Sequence, residues 1–261
     1  MTPQIRARDA AASPRPESGG SLAGLRNPLR EFYEDPGVPA SSGPDRAYRQ
    51  AEMLATLLGT ADCPARIVDV GCGDGFATSV AAARNPAHHF VGIDWSAASI
   101  AVARRPGLSV LRGEINAPGL PIASGSVDVV VMSELIEHLL DTDFAVEEAN
   151  RVLKPNGSLL LSTPNLAAWY NRALLAVGVQ PVFSEVSLRS VFGRPGSQVA
   201  GHLHMFTRRA LTEFLGAYGF TCVRVAGARY HDVPVLLRPF DKMFCHWPSA
   251  ASILLVHARK S

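Results

Sequence analysis

Two short stretches hold the residue types best suited to chemistry. The first is Arg66-Ile67-Val68-Asp69-Val70-Gly71-Cys72-Gly73-Asp74-Gly75. Apolar β-formers around one acid read as a buried strand, and three glycines at alternate positions clear side chains from the backbone that follows. The alanine-rich run Phe76 to Ala83 then starts a helix, so a ligand can lie against bare backbone at a helix N-terminus. An ordinary strand-to-helix turn needs one glycine; three, with an acid inside the strand, favour a cofactor loop. The second stretch is Met132-Ser133-Glu134-Leu135-Ile136-Glu137-His138-Leu139. If Glu134 opens a helix, Glu137 and His138 follow at i+3 and i+4 and share its face. Two carboxylates and an imidazole so placed could ligate a divalent ion, or the imidazole alone could take a proton near neutral pH.

Glycine spacing selects among nucleotide cofactors. Dinucleotide loops run Gly-x-Gly-x-x-Gly, the last glycine letting helix and strand pack closely. Here the order is Gly-x-Gly-x-Gly, and Phe76 stands where that last glycine would be. With Asp69 two residues before Gly71, the segment resembles the first motif of the class I S-adenosylmethionine-dependent methyltransferases. The resemblance implies a loop passing under the methionine and ribose parts of S-adenosyl-L-methionine, with Asp69, Gly71, Gly73 and Gly75 as the cofactor bed. An NAD(P)-dependent oxidoreductase on the same topology is the enzymatic alternative. Phe76 and the lack of a Tyr-x-x-x-Lys pair stand against it. A non-catalytic nucleoside-binding scaffold is the other alternative, opposed by the intact glycines and Asp94.

The elements that must position these residues follow in order. A helix from Asp45 to Leu58 precedes the first strand, with Ala51, Met53, Leu54, Leu57 and Leu58 on its apolar side. His89 to Asp94 is a second buried strand ending in an acid. Asp94 lies roughly twenty residues past the glycines, where a carboxylate can accept both ribose hydroxyls. Its other reading is an N-cap for the helix Ser96 to Arg104, a task open to Ser96. Leu108 to Leu111 is a third strand, followed by Gly113-Glu114-Ile115; related methyltransferases carry Gly-Asp-Ala there, so the resemblance puts Glu114 near the adenine amino group. Val127 to Val131 is a fourth strand, and Ser133, just after it, joins the cofactor-binding set. A helix from Asp143 to Leu153, a turn at Lys154-Pro155-Asn156-Gly157 and a fifth strand at Leu159 to Leu161 come next. Residues 166–200, read as a helix from Ala167 to Val177 and an irregular Gly/Pro piece, form an insertion above the sheet's carboxyl edge and are expected to cap the substrate. A helix from Thr207 to Tyr218 and strands at Phe220 to Val225 and Ser252 to Ala258 finish the chain. The expected fold is α/β: a Rossmann-like, seven-stranded, doubly wound sheet with a C-terminal antiparallel strand pair and an inserted cap.

The Glu-x-x-Glu-His motif resembles that of two subfamilies, the ubiquinone-biosynthesis O-methyltransferases and the small-RNA 2′-O-methyltransferases, in which it holds a divalent metal. The RNA enzymes add a histidine five residues before a threonine, a spacing matched by His202 and Thr207. The resemblance therefore implies Glu134, Glu137, His138 and His202 as ligands of Mg²⁺ or a similar ion, with Glu134, Glu137 and His138 as the catalytic set. Without a metal, the acids cap the turn and His138 is the general base. His204 would point elsewhere if its segment is extended. Arg151 is expected to pair with Glu147 or Glu148.

Composition bounds the rest. At 261 residues there is room for one α/β domain, residues 45–261, behind a Pro-, Gly-, Ser- and Arg-rich tail at 1–44. Leu29, Phe32 and Tyr33 in that tail could fold over the cofactor mouth. A net charge of +2 and no basic stripe argue against a nucleic-acid partner, leaving a small-molecule, lipid or glycan acceptor. The four cysteines have no CxxC spacing, and no apolar run approaches a membrane span, so a cytoplasmic protein with reduced thiols is expected. The apolar stretch Val233 to Trp247 is expected to dock as an amphipathic turn, with a substrate rim as the other reading.

Overall fold

The computed structural model describes residues 43–58, 63–103, 108–115, 118–230 and 233–261. The expectations for Leu29, Phe32 and Tyr33 and for the cap at Asp45 lie outside the described residues and side chains.

Strands β1 (Arg66–Val70), β2 (His89–Asp94), β3 (Ser109–Arg112), β4 (Val127–Ser133), β5 (Leu153–Pro164), β6 (Phe220–Ala228) and β7 (Ile253–Lys260) form one sheet. Its order is β3-β2-β1-β4-β5-β7-β6. Pairing is parallel from β3 through β5, while β7 runs antiparallel to both β5 and β6. Strand order reverses between β1 and β4, so the crevice at their carboxyl ends is where a ligand binds in such sheets.

Both faces of the central strands are covered, as their unbroken apolar runs require. Helix α1 (Gly43–Leu58) lays Ala51, Leu54 and Leu58 in a layer with Ile67, Val129 and Leu160. Helix α2 (Phe76–Arg84) adds Ala81 to that layer, and α3 (Ala97–Ala103) buries Ile100 and Ala103. On the opposite face α4 (Thr142–Val152) packs Ala145, Val146, Ala149 and Val152 among Met132, Leu159 and Leu161. Helix α5 (Trp169–Ala176) opens the insertion, α6 (Arg208–Ala217) returns to the core through Leu211 and Leu215, and α7 (Arg238–Phe244) lies between β6 and β7.

Local chemistry moved several boundaries. Helix α4 starts one residue before Asp143 because Asp141 is the cap, its carboxylate accepting from Phe144 N at 2.9 Å. Lys154-Pro155-Asn156-Gly157 is not a separate turn. Leu153 already pairs with Val127, and the four residues loop out within β5 before Ser158 rejoins Val129, with Asn156 at φ 61°. Helix α5 begins at Trp169 rather than Ala167, since the Asn165 side chain takes the Ala167 N–H in a local turn. Arg151 chose Glu148, meeting both carboxylate oxygens and also the carbonyls of Leu120 and Ile122. That pairing fixes the loop before β4.

Candidate active site at the carboxyl edge of the sheet

The glycine loop is pinned from two sides. Gly71 and Cys72 both donate backbone N–H bonds to the Ile93 carbonyl, at 2.8 and 3.1 Å. Gly71, Gly73 and Gly75 have φ of 73°, 55° and 70°, the left-handed region that side-chain-bearing residues avoid. Space excludes side chains too. A Cβ on Gly71 would lie 2.8 Å from Leu135 Cδ1, and one on Gly75 would lie 2.8 Å from Leu108 Cδ2. Asp69, only 2% exposed, accepts from Gln50 of α1 at 2.9 Å and from Thr78 of α2 at 2.5 Å. It therefore ties β1 to the helices on either side of the loop. Burial and the charges of Asp69 and Asp94 push the Cys72 thiol upward, so it is an inert filler under the loop.

Asp94 sits at the end of β2 beside that loop. One of its oxygens accepts from Gly73 N and the other from Ser96 N, both at 2.9 Å. Ser96 Oγ in turn accepts from Ser99 N, the capping role open to it from sequence. Gly113 N donates to the Asp94 carbonyl, which brings half-buried Glu114 to the same edge. Loop, Asp94 and Glu114 thus gather at the ends of β1, β2 and β3.

The second constellation differs from its expected form. Glu134 does not start a helix: its φ is 50°, its N–H bonds the Ser162 carbonyl at 2.9 Å, and helical turns occur only at Ile136–His138. The chain must leave β4 sharply while staying hydrogen-bonded to β5, which forces the left-handed residue and breaks the i, i+3, i+4 face. Glu134 consequently stands apart from the group that does converge, Glu137, His138 and His202, whose ligand atoms lie within 4.8 Å of one another. Ser133, just before it, is buried at the strand end.

Each member of that trio is held by named partners. Glu137 is fully buried, accepts from Thr163 Oγ1 at 2.9 Å, and through its carbonyl from Leu203 N and His204 N. His138 Nδ1 lies 3.1 Å from the Gly201 carbonyl. A carbonyl can only accept, so Nδ1 carries a proton, and in the neutral ring the lone pair is on Nε2. That Nε2 is 3.9 Å from Glu137 Oε1. The His202 ring stands 4.7 Å from His138, and burial lowers its pKa to about 4, so it is neutral at pH 7. His202 Nδ1 is buried and has no hydrogen-bond partner among the described residues. His204 is outside the trio, as expected.

Sequence reasoning missed what positions His202. Glu185 in the insertion accepts from Ala200 N (2.6 Å), Gly201 N (2.7 Å) and His202 N (3.0 Å), and pairs with Arg194 at 2.8 Å. Glu185 is the only acid in residues 166–200, and that was the available signal. Phe183 was also missed; at φ 70° it wedges between His202 and Tyr230, with ring centroids 5.2 and 4.9 Å away. Tyr170 of α5 is half-buried with its hydroxyl enclosed, and burial raises the hydroxyl pKa.

A parallel sheet that switches order over a glycine bed and ends in a reversed β7 is the Rossmann-like fold of S-adenosylmethionine-dependent methyltransferases. The chain belongs to the methyltransferase-domain family, which it matches over residues 44–225. It is 30% identical over 215 residues to the "Ubiquinone biosynthesis O-methyltransferase" of Mesorhizobium japonicum, covering 79% of this chain and 76% of that one. It is 34% identical over 130 residues to a "Probable S-adenosylmethionine-dependent methyltransferase" of Mycolicibacterium smegmatis, about half of either chain (49% of each). An S-adenosylmethionine-dependent methyltransferase structure from Thermotoga maritima superimposes with a TM-score of 0.55 at 16% identity, covering 92% of this chain and 96% of that one. The chain thus carries a methyltransferase domain, and it spans about half the length (49%) of the Mycolicibacterium smegmatis relative.

Proposed function

We propose that the enzyme methylates a hydroxyl oxygen of a small-molecule, lipid or glycan acceptor, with His138 as the group that takes the hydroxyl proton. The observation that carries this reading is the His138 Nδ1 contact with the Gly201 carbonyl at 3.1 Å, which leaves Nε2 as a base beside Glu137. Bound S-adenosylmethionine supplies a methyl group made electrophilic by its sulfonium. The chain then has to fix the approach of the acceptor and remove its proton. Glu137, locked by Thr163, would stabilise the imidazolium that forms on His138.

The cofactor fits the first constellation. Asp94 ends β2 with its carboxylate against the Gly73 N–H of the loop, where an acid can also accept from ribose hydroxyls. Gly71, Gly73 and Gly75 would underlie the methionine and ribose portions. Ser133 would line the pocket, and Glu114 would meet the adenine amino group. Asp69 would contribute by shaping the loop.

A divalent ion also suits the second constellation. Two imidazole nitrogens and a carboxylate oxygen form a donor set for Mn²⁺, Fe²⁺, Co²⁺ or Zn²⁺, and the orphan Nδ1 of neutral His202 is a ready ligand. With bonds of about 2.1 Å, ligands at tetrahedral angles lie about 3.4 Å apart, so the trio would need to close by up to about 1.4 Å. In that metal form Glu137, His138 and His202 would hold the ion, which would lower the pKa of an acceptor hydroxyl, and the His138 Nε2 lone pair would go to the ion instead of to the proton. Glu134 would face the acceptor instead. Residues 166–200 would cap the substrate, since Glu185 links them to the His202 segment. Free Cys63, Cys72, Cys222 and Cys245 suit the reducing cytoplasm.

The test is transfer of label from methyl-labelled S-adenosylmethionine into a cell extract, with and without chelator. An O-methylated product, and a loss of about 10²-fold or more in His138→Ala, is expected. Label in nucleic acid or on nitrogen, or an undiminished His138→Ala, would overturn the proposal; loss of activity with chelator selects the metal form.

A further inference from the structure

The stretch between β6 and β7 carries an apolar face that the methyltransferase reading does not use. Its inner side is docked. Asp241, 1% exposed, accepts from Trp169 Nε1 (3.1 Å), Tyr230 N (3.2 Å) and Ser252 Oγ, while Phe244 stacks on Trp169 with centroids 5.6 Å apart. The docked turn expected from sequence is therefore present. Its outer side presents Leu236 at 88%, Val235 at 70%, Trp247 at 57% and Phe240 at 53% exposure, with Met243 beside them. Large side chains held out in water on a firmly seated element mark a contact surface rather than scattered exposure.

Charge identifies what meets it. Residues 233–247 contain one acid, Asp241, and it is turned inward; Arg238 and Lys242 are exposed. We infer that this face seats on the surface of an anionic lipid bilayer, the five apolar side chains entering the headgroup–acyl boundary and Arg238 and Lys242 meeting lipid phosphates. Aromatic and long aliphatic side chains flanked by cations are the composition of an element that lies in that boundary. No helix among the described residues is long and apolar enough to cross a membrane, so the contact is a seated one. A second copy of the chain fits less well, because a twofold interface would place this cationic rim against itself. The contact does not depend on the acceptor or on catalysis.

Flotation of the whole protein with vesicles tests the inference. It should float with phosphatidylcholine–phosphatidylglycerol vesicles, much less with phosphatidylcholine alone, and should be released by salt. Trp247 emission should shift to the blue on binding. Lys242→Gln should weaken binding about fivefold, the worth of one basic residue at an anionic surface. Leu236→Asp should reduce it at least about tenfold without changing the melting temperature, since that side chain touches little. Absence of flotation, or flotation indifferent to Leu236→Asp, overturns the inference. So does a concentration-dependent dimer that Leu236→Asp breaks while vesicles stay unbound, because the face would then belong to a second copy.

Discussion

Glu185→Gln tests how the insertion governs the chemistry. One oxygen of Glu185 accepts from Arg194 and Ala200 N, the other from Gly201 N and His202 N. Whichever oxygen becomes an NH₂ group faces two donors, and the buried Arg194 loses its counter-charge. An unsatisfied buried donor costs about 1–3 kcal/mol and breaking a buried ion pair about 3–5 kcal/mol, so a loss near 3 kcal/mol is a conservative figure. For a domain of this size that is roughly 6 °C in melting temperature. The same change frees the Gly201 carbonyl, which orients His138, and the backbone of His202. A displacement of about 1 Å at a reacting group costs on the order of 10²-fold in rate. The hydrogen-bond partners of Glu185 are Arg194 and residues 200–202, not the glycine loop, so S-adenosylhomocysteine should bind with affinity within about threefold of the parent. Turnover below the variant's melting point, thermal melting and calorimetry together read these outcomes. Undiminished turnover, or loss of nucleoside binding in step with turnover, would refute the reasoning.

Gly71→Ala should lose at least about tenfold in cofactor affinity, read by calorimetry, and about 1–2 kcal/mol of stability from its positive φ alone, with the Leu135 contact adding to both. His202 makes stability depend on pH: with a folded pKa of about 4 against 6.5, its contribution is complete above pH 6.5 and is lost as pH falls toward 4, when the unfolded chain takes a proton that the folded one refuses. Urea titrations in chelator should show up to about 3 kcal/mol of that slope, and His202→Gln should flatten it. Asp241→Ala leaves the donors of Trp169, Tyr230 and Ser252 without their acceptor, and should cost about 3 kcal/mol while loosening residues 233–247 to proteolysis.

What could be read from the chain was what local rules encode. The glycine loop, the acid ending β2 and the apolar runs of β1, β2 and β4 depend on spacing and composition, and the sheet assembled around them as expected. The trio Glu137, His138 and His202 was named, but with Glu134 as a fourth member. A helical face was assumed where a bond to Ser162 on the neighbouring strand dictated a left-handed residue, and no local pattern carries that tertiary constraint. Glu185 was invisible for the same reason: its three backbone partners lie 15 to 17 residues away in an irregular segment without periodicity. Residues 233–247 posed an either-or between docking and a greasy rim, whereas the structure has a docked inner side and an exposed outer one.

The account stands on a side-chain-free loop and Asp94 gripping one nucleoside. Calorimetric titration with S-adenosylhomocysteine measures that grip. The parent protein should bind one equivalent, and Asp94→Asn, which loses charge and lone pairs at the ribose and sets an amide N–H₂ against the Gly73 or Ser96 N–H, should bind at least about tenfold more weakly. Equal affinity in Asp94→Asn, or no binding by the parent, would contradict it.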